Sequence, residues 1–218
     1  MSSIQAVIFD MDGILIDSEM VWQRSREAVA ADLGKVWTEA DQHKAMGSST
    51  IEWATLMKNR LEISAPIEDI IADMKKRVLT QYMEHLLILP GALEAVHLAA
   101  SNYKVALASG STTQLIQQVM AMTGLDKVFE AIIYGDDFLH GKPAPDIYLE
   151  AARRLGVAPA QCVGIEDSSN GIRSLKAAGM VAIAVPGADF PLPAEILQMA
   201  DRVLPSLESF SLELVESL

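Results

Sequence analysis

The sequence predicts an α/β protein in which a parallel sheet, covered by helices on both faces, is interrupted by a wholly helical insertion. Three observations lead there. The apolar run from Ile4 to Phe9 has strand length and is nearly continuous, the pattern of a strand buried on both faces. From Leu89-Pro90-Gly91 onward, helix-period and strand-length segments alternate, the order that builds a parallel sheet. Between the two, Ile16 to about Leu89 shows helical spacing and no convincing strand.

The first strand runs directly into Asp10-Met11-Asp12-Gly13. Strand ends are where open α/β sheets place their ligands. Two carboxylates so close repel each other unless a cation or a shared proton intervenes, and the glycine lets the backbone turn sharply. Taken alone, these residues read equally well as an acidic turn after a buried strand.

In the insertion, apolar residues recur at helical spacing through Val21, Trp22, Ala28, Val29, Ala31 and Leu33, and Gly34 closes the segment. Further helices are predicted over 39–46, 51–61 and 66–87. Pro66 followed by Glu68 and Asp69 makes a good start for the last of them. The polar stretch Gly47-Ser48-Ser49-Thr50 reads as a loop, either facing a ligand or simply joining two helices.

After Gly91 come a helix over 92–102, a strand over 103–108 and a helix from Thr112 to Gly124. The strand 131–134, helix 145–156, strand 162–165, helix 169–179 and strand 181–185 follow. A short strand candidate, Arg202-Val203-Leu204, and a final helix end the chain. Right-handed connections between such units bring the strand ends to one edge of the sheet.

Composition narrows the function. Of 218 residues, 50% are hydrophobic, enough for a large core, and the formal net charge is -12. That charge argues against nucleic acid or an anionic membrane surface as a partner. A single cysteine, Cys162, excludes an intramolecular disulfide framework and a multi-cysteine zinc site. Acidic residues from Asp10 onward do not suit a secretory leader, and no apolar stretch reaches the ~18 residues of a membrane span. A soluble, cytoplasmic protein is the expectation. The sequence leaves its oligomeric state open, and a monomer is compatible with it.

The strand ends, taken together, carry the chemistry. The first ends at Asp10 and Asp12. The second ends at Ser109-Gly110-Ser111, where backbone N–H groups at a helix start can hold an anion. Lys142, between Gly141 and Pro143, lies in the loop after the third. Glu166-Asp167-Ser168 ends the fourth. Each has an ordinary reading by itself: a helix cap, a solvated lysine, a charged helix start. Their joint occurrence, one set per strand end, is what asks for a function. Hard oxygen donors with open positions suit Mg²⁺, which takes substrate phosphate as a further ligand. His43, His85, His97 and His140 are scattered singly and are assigned no role.

The runs Asp10-Met11-Asp12-Gly13-Ile14-Leu15-Ile16-Asp17-Ser18, Ala108-Ser109-Gly110-Ser111, Gly141-Lys142-Pro143-Ala144-Pro145-Asp146 and Glu166-Asp167-Ser168 with Asn170-Gly171 resemble the four motifs of the haloacid dehalogenase-like hydrolase superfamily. The resemblance covers essentially the whole chain. It implies a Rossmann-like core over 1–16 and 89–218 and a mobile helical cap over 17–88, as in the subgroup of beta-phosphoglucomutase and small-molecule phosphatases. It also implies Mg²⁺. Asp10 is then the nucleophile that forms an aspartyl-phosphate, and Asp12 the acid that protonates the leaving oxygen and afterwards activates water. Ser109, Gly110 and Lys142 bind the transferring phosphoryl group. Asp167, assisted by Glu166, holds the metal with Asp10 and the backbone carbonyl of Asp12.

Three function classes follow: a Mg²⁺-dependent phosphatase of a small phosphorylated metabolite such as a sugar phosphate, a phosphosugar mutase, and a non-catalytic phosphometabolite-binding protein. Retention of every motif residue disfavours the last. The mutases carry a histidine twelve residues after the nucleophile and an arginine in the cap loop; here those places fall at Trp22 and Thr50. Lys44 and Lys58 are the cations nearby in sequence that could stand in for the arginine. Losing a charge-assisted contact to a second phosphate favours water as the acceptor. Trp22, residues 46–50 and Trp53 are the positions expected to set specificity.

Overall fold

Six parallel strands form one sheet in the order β3-β2-β1-β4-β5-β6. The computed structural model describes residues 3–45, 50–187 and 191–218. The chain divides into two compact units, Met1–Asp17 with Leu87–Leu218, and Ser18–Leu86.

In the first unit, β1 (Ala6–Phe9) is central. The second unit follows it and holds α1 (Ser18–Asp32), α2 (Glu39–Ala45), α3 (Thr50–Arg60) and α4 (Ile67–Glu84). The first unit then resumes with α5 (Ala92–Ala100), β2 (Lys104–Ser109), α6 (Thr113–Thr123), β3 (Ala131–Tyr134), α7 (Asp146–Leu155), β4 (Cys162–Glu166) and α8 (Ser169–Ala177). It closes with β5 (Val181–Ala184), α9 (Ala194–Leu197), β6 (Arg202–Val203) and α10 (Leu212–Glu216).

Successive strands step outward from β1 in one direction through β2 and β3, and in the other through β4, β5 and β6. The order therefore reverses at β1 and β4, and the crevice beyond the carboxyl ends of those two strands is where such sheets bind ligands. Phe9 is level with Leu107 on one side and Ile165 on the other. The residues that follow, Asp10 and Glu166, thus emerge side by side.

Strand side chains alternate between the two faces. Ala6 and Ile8 join Ala106, Ala108 and Ile133 in a core closed by Tyr148, Ala151 and Leu155 of α7 and by Ile172 and Leu175 of α8. Phe9 instead sets its ring 6.1 Å from that of Phe129 and 6.2 Å from that of Phe210. The helical unit has its own core, including Val29, Trp37, Trp53, Met57, Ile70 and Met74.

The expected elements are present, with shifts of a few residues at their ends. The largest lies in the segment predicted helical over 66–87, where α4 stops at Glu84. The chain there must return to the first unit, and its backbone groups need partners on the way. Asp17 N donates to Leu87 O at 2.9 Å and Leu89 N to Leu15 O at 3.0 Å, so Ile16 and Ile88 form an antiparallel bridge. Of the loop predicted over 47–50, only Thr50 belongs to the described residues, and it begins α3; Met46 and 47–49 lie outside them.

Candidate active site

The two aspartates of the first loop face different surroundings. Asp10, 6% exposed, is held by its backbone N–H to Ile165 O at 3.1 Å. Its Oδ1 accepts a hydrogen bond from Lys142 Nζ at 2.8 Å. Asp12 turns the other way. Its Oδ2 accepts from Ser111 Oγ at 2.7 Å and from Ser109 Oγ at 3.2 Å, and its Oδ1 is buried with no hydrogen-bond partner among the described residues.

A tight turn closes the loop just after the two aspartates. Leu15 N donates to Met11 O and Gly13 N to Ile16 O, both at 2.9 Å, while Met11, Ile14, Leu15 and Ile16 anchor the loop in the core. Gly13 has a φ of 75°, which favours glycine. A Cβ there would also overlap the Asp167 carboxylate.

The β2 loop is braced from two directions. Ser109 Oγ accepts from Ser111 N at 3.0 Å, and Gly135 N donates to Ser111 O at 3.2 Å. Asp136 accepts from Thr113 N at 2.9 Å at the start of α6. Gly110 contributes backbone: its carbonyl packs so closely on Gly135 that a Cβ at 135 would collide with it.

Lys142 comes in from the β3–α7 loop. Besides Asp10, its ammonium reaches Glu166 Oε1 at 2.7 Å and Ala108 O at 3.1 Å. Glu166, fully buried at the end of β4, accepts on Oε1 from Tyr148 Oη at 2.7 Å as well. Its Oε2 accepts from Asp167 N and Ser168 N, each at 3.1 Å, and from Ser168 Oγ at 3.0 Å. Ser168 also caps α8 by accepting from Gly171 N at 3.0 Å. At Gly171, a Cβ would overlap the Glu166 carboxyl group.

Charge is crowded here. Burial, with Glu166 and Asp12 nearby, pushes the Asp10 carboxyl up to about 8 in spite of Lys142. Burial and the charges of Glu166 and Asp10 raise Asp167 well above the carboxylate range. Burial would raise Glu166 too, but Lys142 and the donated hydrogen bonds hold it below its ordinary value. Lys142 is opposed by burial, yet Asp10 and Glu166 outweigh that and keep it well above the usual lysine range.

One carboxylate oxygen each from Asp10, Glu166 and Asp167 lie within 4.8 Å of one another. Three acids sharing a single lysine fit a divalent cation, because hard oxygen donors and uncompensated negative charge are what Mg²⁺ takes up. The Asp12 carboxylate stands apart from this trio, with the serines.

The residues singled out by strand-end position thus meet in two linked groups: Asp10, Lys142, Glu166 and Asp167, and Asp12 with Ser109. Two contributors escape the sequence reading. Ser111 appears there only as a neighbour of Ser109, with no signal that it reaches Asp12. Tyr148 looks like an ordinary apolar-face residue of α7.

A family model described as haloacid dehalogenase-like hydrolase matches residues 4–179. The chain is 36% identical over 186 residues to hexitol phosphatase B of Escherichia coli, covering 84% of each chain. It is 34% identical over 184 residues to the phosphorylated carbohydrates phosphatase of Thermotoga maritima, covering 83% of this chain and 84% of that one. Among solved structures, CbbY from Rhodobacter sphaeroides in complex with phosphate superimposes with a TM-score of 0.85 at 26% identity, covering 99% of this chain and all of the other.

Proposed function

This chain belongs to the haloacid dehalogenase-like hydrolases, and on that premise we propose that it is a Mg²⁺-dependent phosphatase of a small phosphorylated metabolite, a sugar phosphate or similar monophosphate, working through an aspartyl-phosphate. The observation that carries this reading is the different setting of two neighbouring carboxylates. Asp10 faces the lysine and the acid trio; Asp12 faces two hydroxyls. Two acids with separate environments divide nucleophile from acid–base work.

In this reading Asp10 Oδ1 or Oδ2 attacks phosphorus, and the P–O bond to the leaving alcohol breaks. Asp12, protonated for this step, gives its proton to the departing oxygen. It then takes a proton from water, which attacks the aspartyl-phosphate and frees inorganic phosphate. Lys142 and Ser109 bind the phosphoryl oxygens, and the backbone of Gly110 lets them approach. Asp10, Asp167 and Glu166, with the Asp12 carbonyl, would hold Mg²⁺, which neutralises phosphoryl charge when bound. Residues 18–86 serve as the cap that selects the substrate, and the protein acts in the cytoplasm on a small-molecule partner.

Hydrolysis is favoured over mutase chemistry by what occupies the helical unit. The Trp22 and Trp53 rings lie 5.6 Å apart, tilted at 57° to each other, and the Arg26 guanidinium lies 5.6 Å from the Trp22 ring. Lys58, a candidate replacement for the mutase arginine, spends its ammonium on the carbonyls of Ser64 and Ala65. Lys44 is exposed on α2.

The test is a panel of phosphorylated metabolites with Mg²⁺, reading released phosphate, beside a hexose 1-phosphate supplied with catalytic hexose bisphosphate. Phosphate release without isomerisation is expected. Isomerisation that outpaces hydrolysis would overturn the phosphatase reading.

A further inference from the structure

We infer that Tyr148 is a positioning residue: by donating to the same oxygen of Glu166 as Lys142 does, it keeps the lysine available to phosphate. The inference rests on the phosphatase reading above and concerns how that site is tuned.

Lys142 has three protons and three partners: Asp10 Oδ1 at 2.8 Å, Glu166 Oε1 at 2.7 Å and Ala108 O at 3.1 Å. An incoming phosphoryl group must win a share of this ammonium. Its strongest competitor is Glu166, a fully buried carboxylate whose attraction for the lysine is little screened. The Oε2 side of that carboxylate is already occupied by Asp167 N, Ser168 N and Ser168 Oγ, so competition falls on Oε1.

Tyr148 Oη donates to Oε1 at 2.7 Å, and its ring lies 4.9 Å from Lys142 Nζ. The phenol is fully buried on α7, in the core shared with β1 and β2. A neutral phenol beside a carboxylate can only donate to it. A second donor on one carboxylate oxygen draws charge from it and weakens its hold on the first. Removing the hydroxyl leaves Lys142 as the sole donor to Oε1 among the described residues, tightens that pair and withdraws the lysine from phosphate. The same loss leaves more uncompensated negative charge on Glu166, which a divalent cation nearby would feel as added attraction.

The consequence is a pair of changes of opposite sign, which a packing defect does not produce. Tyr148→Phe keeps the ring and deletes only the hydroxyl. Titrating inorganic phosphate into Mg²⁺-saturated protein by calorimetry should show about 10-fold weaker binding. Titrating Mg²⁺ alone should show affinity equal to wild type or higher. Ile147→Val, one position earlier and also buried, serves as the packing control; it should lower the melting temperature and leave both affinities in place. Equal phosphate binding by Tyr148→Phe and wild type, or weakening of phosphate and Mg²⁺ together, would overturn the inference while wild-type phosphate release leaves the phosphatase reading standing. Wild-type protein that neither binds phosphate nor hydrolyses any monophosphate would overturn both.

Discussion

Ser111 Oγ donates a 2.7 Å hydrogen bond to Asp12 Oδ2, joining the second loop of the sheet edge to the acid of the first. Ser109 supports the same oxygen at 3.2 Å, while the other carboxylate oxygen is buried with no hydrogen-bond partner among the described residues. Asp12 is thus aimed by hydroxyls and kept out of the acid trio around Lys142. Ser111→Ala should leave the melting temperature nearly unchanged and lower kcat by roughly 2- to 10-fold, the worth of one hydrogen bond. Steady-state kinetics with a monophosphate substrate measures it; an unchanged kcat would detach Ser111 from the reaction.

Asp10→Asn should abolish turnover, by about 10³-fold or more, because an amide of nearly the same size is a poor nucleophile. It should also change stability in a pH-dependent way. In metal-free protein the Asp10 carboxyl keeps its proton up to about 8, whereas an unfolded aspartate releases it near about 4. Between those values the folded state binds more protons, so this group's contribution is present at low pH and lost as pH rises through 8. Metal-free Asp10→Asn should therefore melt above wild type at pH 8 and converge with it near pH 4, as calorimetric melting curves would show.

Mg²⁺ binding should release protons at neutral pH. A cation at the trio needs Asp10 and Asp167 ionised, and burial with acidic neighbours raises both, Asp10 to about 8. Affinity should therefore rise with pH. Calorimetry in two buffers of different ionisation enthalpy counts the protons. Asp167→Ala should weaken Mg²⁺ more than Ser109→Ala, and EDTA should stop turnover. Undiminished turnover in EDTA would remove the metal from the reaction.

Gly171→Ala sets two effects against each other. In the first turns of α8, alanine is favoured over glycine by about 1 kcal/mol. The added Cβ, however, overlaps the Glu166 carboxyl group, which is fully buried and cannot retreat without losing donors from Lys142, Tyr148 and Ser168. Overpacking of this kind costs about 1–3 kcal/mol, so the clash should win. Urea unfolding should show net destabilisation, and activity should fall with it.

Cys162 should be silent in the folded protein. It is buried, its Sγ 3.5 Å from Ala158 O, and burial pushes its thiol up to about 11. At pH 8 only about 0.1% of such a thiol is ionised. A colorimetric thiol reagent should react slowly with native protein and with one equivalent per chain after denaturation. Rapid native reaction would show that β4 opens readily.

Much of the sheet could be read from the chain because buried parallel strands carry a strong local signal. Ala131–Tyr134 is apolar, bounded by Glu130 and Gly135, and needs no knowledge of its neighbours to be recognised. The same holds for Asp10, Ser109, Lys142, Glu166 and Asp167: each lies at or beyond the end of such a segment, so parallel topology alone brings them to one edge. The helical stretch also announced itself by period, but the pairing of 15–17 with 87–89 did not. Those backbone hydrogen bonds join residues about seventy apart, and nothing in either tripeptide names its partner.

What the sequence determined by itself, then, was which residues could do chemistry: carboxylates, hydroxyls and a lysine placed after strands whose apolar runs commit them to a buried sheet. Tertiary structure alone decided how that chemistry is divided. Asp10 and Asp12 have the same side chain two positions apart, yet one meets Lys142 and the other Ser111. Tyr148 became part of the site only because α7 packs it beneath Lys142 and beside Glu166. The physical reason is range. Burial and helical period act between near neighbours in the chain, whereas hydrogen bonds and charge act across a few ångströms of space, and only the register of distant segments sets which groups lie that close.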